Sequence, residues 1–366
     1  MRANEKRETW EKWRDEEIAR ARAVLALHHY SLDDKQVHVS GERFLVSGRK
    51  LVLTGVRNAD NLPVIIKFSS DLSGIAEIRD ERHRREMLRD IHFAYHTMRF
   101  PEEILWHEGP TSLTLITRFI PQKNIFIELP IAEQFFFALS ALESQEGTHI
   151  ATREHEKMLT SMGGAMRADE YLNTFDEWYS NIEKLAPTRH DLHALLKVAR
   201  EYLHRERTVI ERYSGFLTHT DFVPHNLRIT DRQIVMLDHT SLIIGNKYES
   251  WARFINFMSL FNPELEAMLL QYVRENRGPD EYRCLRLMRI YKMVFLLNHH
   301  ICAHQKSEGD LHLLTGERVI LWGRILESVL ADRQVAPEIL ASYKSRAIAL
   351  RSPAEVERQK EISGWK

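Results

Sequence analysis

The sequence lacks most of the features that staple a protein covalently or attach it to a membrane. Its 366 residues include only two cysteines, Cys284 and Cys302, which are too few for a disulfide framework and fit a reducing compartment. No segment approaches the roughly 20 consecutive apolar residues that a membrane-spanning helix needs. The first eight residues are rich in charge and no apolar stretch follows them, so we expect no secretory signal. These absences predict a cytoplasmic protein without a membrane partner.

An excess of charge of either sign is also absent. The 51 basic and 52 acidic residues give a formal net charge of −1, which provides no overall attraction to nucleic acid. Five arginines crowd residues 79–89, but the acidic residues between them favour a solvated helix face over a nucleic-acid site. A chain of this length can bury a substantial core and is expected to form two lobes or domains.

The most informative feature that is present is a dense group of polar residues at 219–239, in the second half of the chain. Pro224 and its polar neighbours would break a helix there, so we expect a loop. Two short strands should follow, at 227–230 and 233–237. A hairpin of this length would bring Asn226 and Asp238 together although twelve positions separate them.

This stretch resembles the aminoglycoside phosphotransferase and choline kinase-like family. The family motif reads His-Gly-Asp-x-x-x-x-Asn, followed by a short hairpin and then Ile-Asp-Trp or Ile-Asp-Phe. Asp and Asn are also common turn residues, so Asp221 and Asn226 alone could merely cap strands. The hairpin that follows, Asp238 after it and Gly245 seven residues later favour a kinase-like site. The positions that match the family are His219, Asp221, Phe222, Pro224, Asn226, Asp238 and Gly245.

The resemblance implies an α+β, bilobal protein kinase-like fold, with a small antiparallel-sheet N-lobe and a larger helical C-lobe. It implies that Asp221 is the catalytic base in a catalytic loop at 219–226, which also contains the catalytic candidates His219 and Asn226. It further implies that Asn226 and Asp238 hold Mg²⁺ on the phosphates of ATP or GTP.

Three positions depart from the family pattern. His225 stands where the family usually has Gly, and His239 where it usually has an aromatic residue. Ser250 stands where an Asp commonly follows. None of these changes removes a catalytic group.

The N-lobe should supply a lysine for the nucleotide phosphates. Lys67 interrupts the apolar run Val64-Ile-Ile-Lys-Phe, as the lysine does in the Val-Ala-Ile-Lys pattern. The family lysine contacts the α- and β-phosphates and pairs with a glutamate of the following helix. Glu81 lies on the apolar stripe of that helix and is the expected partner, with Glu86 in reserve. The alternative is an ordinary exposed strand lysine.

The rest of the nucleotide site is less distinctive. A Gly-x-Gly-x-x-Gly loop is absent, and Ser47 and Gly48 form the tight turn available to cover the nucleotide. Arg118, Phe119 and Ile120 should form the hinge, where backbone groups usually meet the purine.

The chain divides into a helical extension at 1–35, a nucleotide-binding N-lobe at 36–118 and a helical C-lobe at 119–366. Residues 7–30 should form an amphipathic helix, and the charged residues 354–366 should fray or dock loosely. We expect one long helix at 188–212.

Three functions remain open. The first is a kinase that moves the γ-phosphate of ATP or GTP to a hydroxyl of a small molecule such as an aminoglycoside, choline or a sugar. The second is a kinase-like nucleotide-binding protein without catalysis. The third is a kinase for a larger acceptor, such as a lipopolysaccharide sugar or a protein. Phe-Gly does not follow Asp238, which disfavours protein acceptors. The oligomeric state stays open.

The acceptor should lie over Asp221, against the helices at 247–305. We expect Glu249 and Trp251 to contact it. A cationic acceptor would need an acidic pocket. The acids that could line such a pocket are Glu249, Glu264, Glu266, Asp280 and Glu281.

Overall fold

The computed structural model describes residues 3–42, 49–90, 99–122, 124–146, 157, 165–230 and 233–363. Within the N-lobe, five strands form one antiparallel sheet. They are β1 (Tyr30–Leu32), β2 (Leu51–Arg57), β3 (Leu62–Ser69), β4 (Glu103–Glu108) and β5 (Leu113–Arg118). Their order across the sheet is β1-β2-β3-β5-β4. This arrangement confirms the predicted antiparallel sheet of the N-lobe. Residues 43–48, which include the expected covering turn, lie outside the described part.

Alternation along β3 explains where its lysine points. Val64, Ile66 and Phe68 are buried in the N-lobe core, and successive strand residues face opposite sides of a sheet. Lys67 therefore faces away from that core. Its strand neighbours are Val52 on β2 and Leu115 on β5.

Two helices cover the sheet. The first, α1 (Ala3–Leu27), packs Trp10, Ala21 and Leu25 into the N-lobe core. The second, α2 (Leu72–Asp90), follows β3 directly and buries Ile78. The expected amphipathic helix near the start of the chain is thus present and belongs to the N-lobe core.

The C-lobe consists mainly of helices around one large core. The helices are α3 (Ile131–Glu146), α4 (Ala168–Leu185), α5 (His190–Arg205), α6 (Arg207–Arg212), α7 (Tyr248–Phe261), α8 (Pro263–Asn276), α9 (Pro279–His304), α10 (Gly309–Leu330), α11 (Pro337–Leu350) and α12 (Pro353–Ser363). The centre of the lobe is α9, which is buried along most of its length because it contacts α4, α7 and α10.

One helix differs from its predicted form. The helix expected at 188–212 is broken at Glu206, and the shorter α6 then buries Val209 and Ile210 ahead of the next strand.

Four strands position the loop between the lobes. They are β6 (Ser214–His219), β7 (Leu227–Thr230), β8 (Gln233–Met236) and β9 (Leu242–Asn246). The β7–β8 hairpin confirms the prediction, with Leu227 opposite Met236. β6 pairs with β9, and His219 lies opposite Leu242. The start of the loop after β6 therefore lies close to the segment that follows the hairpin.

The last helix docks against the N-lobe. Glu355 is 1% exposed and accepts a hydrogen bond from the Glu42 amide at 3.0 Å. Lys35 and Glu357 form an ion pair at 2.9 Å. Of the two expectations for this charged segment, fraying and loose docking, the described residues show docking, which is firm at Glu355 because its side chain is buried. No helix in the described part of the chain has the length and apolar character to cross a membrane.

Candidate active site

A backbone hydrogen bond joins the loop after β6 to the end of the β7–β8 hairpin. Asn226 ends a short 3-10 turn, and its carbonyl accepts a hydrogen bond from the Leu237 amide at 2.8 Å. This bond brings Asp238 beside the loop, as the hairpin length predicted. Asp238 has φ of 55°, a left-handed conformation that Asp tolerates better than most residues and that is often found at functional sites.

Asp221 is held on both sides by hydrogen-bond donors. Arg253 donates from Nε to its Oδ1 at 2.9 Å, and Asn226 donates from Nδ2 to its Oδ2 at 3.2 Å. Burial alone would raise the pKa of Asp221, but Arg253 and the nearby imidazoles outweigh it and hold the pKa well below its usual range. Asp221 is therefore ionised at neutral pH and can accept a hydrogen bond from a hydroxyl.

Arg253 was missed by the sequence reasoning. Its side chain is only 12% exposed although it belongs to the largely apolar helix α7. It is the one basic residue between Tyr248 and Phe261, and that isolation was a signal available in the sequence.

His219 lies beneath the site and does not line the cleft. Its side chain is fully buried, and its Nε2 lies 3.2 Å from the Leu237 carbonyl oxygen. The Ser250 hydroxyl accepts a hydrogen bond from the His219 amide at 2.9 Å and donates to Gln145 at 2.7 Å. Ser250 thus supports the loop backbone at the position where the family commonly has an Asp.

Lys67 forms an ion pair with Glu81, and both side chains are largely buried. Burial alone would raise the pKa of Glu81, but Lys67, together with His239 and Lys50, holds it well below its usual range. Glu86 faces elsewhere and pairs with Arg82 at 3.1 Å. The partner of Lys67 is therefore Glu81.

Lys50 is a second cation that the sequence analysis did not select. It contacts Glu77 at 2.6 Å and Glu81 at 3.7 Å. Burial would lower the pKa of Lys50, but the carboxylates of Glu81 and Glu77 outweigh it and raise the pKa. Two ammonium groups thus converge on one buried carboxylate.

A single cleft of about 640 Å³ between the lobes collects most of these groups. The hinge also lines it. The amides of Arg118 and Phe119 donate to the carbonyls of Glu102 and Pro63, at 2.9 and 3.1 Å. Ser47 and Gly48 lie outside the described residues. The predicted site residues that line the cleft are Lys67, Glu81, Arg118, Phe119, Ile120, Asp221, Asn226 and Asp238.

Glu249 and Trp251 require a correction, because both are 1% exposed and neither lines the cleft. Glu249 accepts hydrogen bonds from Lys292 at 3.0 Å and Tyr171 at 2.5 Å inside the C-lobe core. The same helix presents Arg253 and Phe257 to the cleft instead.

The other acids that could have lined an acidic pocket are also absent from the cleft lining. Glu266 pairs with Arg289 in the core, and Glu281 pairs with Lys247 at 2.7 Å. Asp280 forms an ion pair with Arg212, and Glu264 is exposed at the start of α8.

The oxygen donors of Asn226 and Asp238 suit a magnesium ion. Asn226 uses its amide nitrogen to contact Asp221, which leaves its Oδ1 free to face a cation. Within the described residues, no three His, Cys, Asp or Glu side chains cluster as a complete metal site. Mg²⁺ bound with a nucleotide usually takes only one or two protein carboxylates and completes its shell with phosphate and water. The residues present therefore fit the predicted ion.

No protein-family model matches the sequence, and no curated protein matches it. Solved structures do match. An apo thermostable mutant of aminoglycoside phosphotransferase APH(4)-Ia is 14% identical, with a TM-score of 0.55 over 82% of this chain and 95% of that chain. A further substituted variant of that mutant, in a ternary complex with ADP and hygromycin B, is 12% identical, with a TM-score of 0.55 over 78% of this chain and 91% of that chain. Macrolide 2'-phosphotransferase MphH from Brachybacterium faecium is 14% identical, with a TM-score of 0.54 over 82% and 97%. The chain therefore has the bilobal, kinase-like fold of the aminoglycoside and macrolide phosphotransferases.

Proposed function

We propose that this protein is a Mg²⁺-dependent phosphotransferase that moves the γ-phosphate of ATP or GTP to a hydroxyl group of a small molecule. The observation that carries the proposal is the lining of one cleft by the Lys67–Glu81 ion pair together with Asp221, Asn226 and Asp238. Phosphoryl transfer depends mainly on positioning and charge neutralisation, and these five residues supply both.

The proposed step uses Asp221 to orient the acceptor. The acceptor hydroxyl oxygen attacks the γ-phosphorus while the bond from that phosphorus to the β–γ bridging oxygen breaks. The hydroxyl proton passes to the Asp221 carboxylate, and the nucleoside diphosphate leaves with the bond electrons. Because the transition state is loose, a weakly basic carboxylate is sufficient when its geometry is held. Arg253 and Asn226 hold it through the hydrogen bonds described above.

Charge on the nucleotide would be met from both lobes. Lys67, aligned by Glu81, would contact the α- and β-phosphates, and Lys50 shares the same carboxylate. Mg²⁺ would be held by Asn226 and Asp238 and would neutralise charge on the nucleotide phosphates.

The shape of the cleft favours a compact acceptor. Beyond Asp221 it is lined by residues of α9, α10, α11 and α12 and by His38 and Val39 of the N-lobe. Such lining on several sides suits a small polar molecule better than a protein segment.

Transfer of labelled phosphate to pooled small metabolites, followed by mass spectrometry, tests the proposal. Asp221→Asn should abolish transfer and leave ATP affinity within a few-fold, because Asp221 faces the acceptor. Asp169→Asn is a matched control, since Asp169 is exposed and pairs with Arg207 away from the cleft. Wild-type turnover by Asp221→Asn, or labelling of proteins with none on any metabolite, would contradict the assignment.

The metal requirement separates catalysis from simple nucleotide binding. Asp238→Ala and Asn226→Ala should both weaken Mg²⁺-dependent ATP binding in calorimetry, and Asp238→Ala should be worse because it loses a full charge. ATP binding that does not change with Mg²⁺ would remove the premise. Mg²⁺-dependent binding without transfer to any acceptor would instead favour a non-catalytic nucleotide-binding protein.

A further inference from the structure

Lys50 immediately precedes β2 and faces the same side of the N-lobe sheet as Lys67. Leu51 and Leu53 are buried in the N-lobe core, and successive residues of a strand face opposite sides of the sheet. Lys50 and Val52 therefore face away from that core, and both line the cleft. Val52 is the strand partner of Lys67, so the two lysines lie on one face of neighbouring strands.

The strand register places Lys50 farther from the hinge than Lys67. The strand partner of Arg118 on β3 lies three residues before Lys67. Lys50 comes just before Leu51, whose strand partner is Phe68, the residue after Lys67. Lys50 is therefore level with a point two residues beyond Lys67, which is about 7 Å farther along the sheet. A nucleotide with its purine at the hinge and its α- and β-phosphates at Lys67 would bring its γ-phosphate towards Lys50.

The Lys50 ammonium is held by two carboxylates of α2. Its Nζ lies 2.6 Å from Glu77 Oε1 and 3.7 Å from Glu81 Oε2. The Lys50 side chain is 10% exposed, whereas that of Glu77 is 40% exposed, so solvent screens the closer ion pair. An ammonium group has three donors, and Lys50 can therefore bind a further anion that enters the cleft.

Lys50 also lies within electrostatic range of the proposed metal ligand Asp238. Burial would lower the pKa of Lys50, but the carboxylates of Glu81, Glu77 and Asp238, in that order, raise it. In kinases the metal ion held by such an aspartate bridges the β- and γ-phosphates. The register and this proximity thus both place Lys50 at the phosphate end of the cleft.

We propose that Lys50 is the cation that contacts the γ-phosphate, while Lys67 contacts the α- and β-phosphates. When the nucleotide binds, oxygens of the γ-phosphate take the place of Glu77 at the Lys50 ammonium. In the transition state charge is spread over the three equatorial oxygens of the transferred group, so this ammonium stabilises the transfer as well as the bound nucleotide. This inference rests on the proposed phosphotransferase function and adds a catalytic residue to it.

Comparing a triphosphate with a diphosphate isolates the γ-phosphate contact. We suggest calorimetry on the full chain with AMP-PNP and with ADP, each with excess Mg²⁺, because neither measurement needs an acceptor. Lys50→Met should weaken AMP-PNP binding at least about tenfold, the loss of one hydrogen bond to a charged group, and ADP binding less than about threefold. Lys67→Met should weaken both at least about tenfold, since both ligands contain the α- and β-phosphates. Lys50→Arg should restore part of the AMP-PNP affinity because it keeps the charge.

Glu77→Gln distinguishes this role of Lys50 from a purely structural ion pair. A structural pair is broken by either change, so Lys50→Met and Glu77→Gln would then affect both nucleotides alike. If the γ-phosphate displaces Glu77, Glu77→Gln should leave AMP-PNP affinity unchanged or raise it. Lys12→Met is the control, since Lys12 is exposed on α1 and lies outside the cleft lining. Thermal unfolding of each variant shows that it is folded.

The outcomes separate this inference from the proposed function. A loss in Lys50→Met that is confined to AMP-PNP, without phosphoryl transfer to any acceptor, would support the role of Lys50 and count against the enzyme. Transfer by the wild type, with equal losses of AMP-PNP and ADP affinity in Lys50→Met or with no loss of either, would support the enzyme and overturn the role of Lys50. Equal effects of Lys50→Met and Glu77→Gln would also overturn it. A wild-type protein that binds neither nucleotide would contradict both.

Discussion

The contact between Arg253 and Asp221 offers the sharpest test of the site electrostatics. Replacing Arg253 with Gln removes the guanidinium that lies 2.9 Å from the carboxylate. A hydrogen bond to a charged group contributes about 1.5–3 kcal/mol to stability. Asp221 is 39% exposed, so solvent screens part of this contribution. We therefore expect a loss of about 1–2 kcal/mol at pH 7 after that discount.

The loss should depend on pH in a defined direction. The folded-state pKa of Asp221 is lowered, so its contribution is present above the unfolded pKa of about 3.9 and is lost as pH falls towards the folded pKa. His225 acts in the same direction, because Arg253 lowers its pKa and removing Arg253 would let it protonate more readily in the folded variant. The difference in stability between wild type and Arg253→Gln should be largest at pH 7 and should shrink below about pH 4.

Urea unfolding at pH 7, 5 and 3.5 measures this difference. Arg207→Gln is the control, because Arg207 pairs with Asp169 at the surface, where solvent screens the pair, and the change should leave stability nearly unaltered. A double-mutant cycle with Asp221→Asn isolates the pairwise energy. A stability difference that is the same at pH 7 and pH 3.5, or a cycle that is additive, would refute the electrostatic account.

Three further variants test separate parts of the structure. Glu81→Gln should raise the KM for ATP at least tenfold in steady-state kinetics because Lys67 loses its partner. Glu86→Gln is the control and should change this KM less than twofold. Similar values for the two variants would contradict the assignment of Glu81 as the partner of Lys67. Gly245→Ala should lower the free energy of unfolding, measured in urea, by about 1–3 kcal/mol because the new Cβ would lie 2.5 Å from the Tyr171 hydroxyl oxygen. Gly316→Ala in α10 is the control, since a Cβ has room there; equal stabilities of the two variants would contradict the prediction. Glu249→Gln should lower the free energy of unfolding by about 3–5 kcal/mol, since it leaves the buried Lys292 ammonium without its carboxylate. The ratio of the acceptor KM to the ATP KM should not change. A selective rise in the acceptor KM would support the earlier expectation that Glu249 contacts the acceptor.

Local chemistry explains why the sequence alone predicted the catalytic loop. A proline, a short loop and a hairpin of defined length lie within twenty residues of one another, so turn geometry brings Asn226 to Asp238 without help from the rest of the chain. Alternation along β3 likewise determines that Lys67 faces away from the N-lobe core, and helical spacing favoured Glu81 over Glu86.

The orientation of the helices after Asp238 could not be read in the same way. Sequence placed Glu249 and Trp251 near the acceptor because they follow the hairpin closely, but the packing of α7 on α9 turns both into the core. Glu249 finds Lys292 there, a partner 43 positions away that periodicity cannot identify. Only the tertiary structure shows that Arg253 is the residue of this helix that reaches Asp221.

The sequence by itself predicted Lys67, Glu81 and the loop at 219–226, because short-range geometry places these residues. The tertiary structure decided what else lines the cleft. Arg318, Arg351 and Arg358 lie about one hundred residues or more after Asp221 and line the cleft only because α10, α11 and α12 pack across it. Long-range helix packing depends on burying apolar faces and not on local spacing, so the pattern of the sequence could not place these arginines.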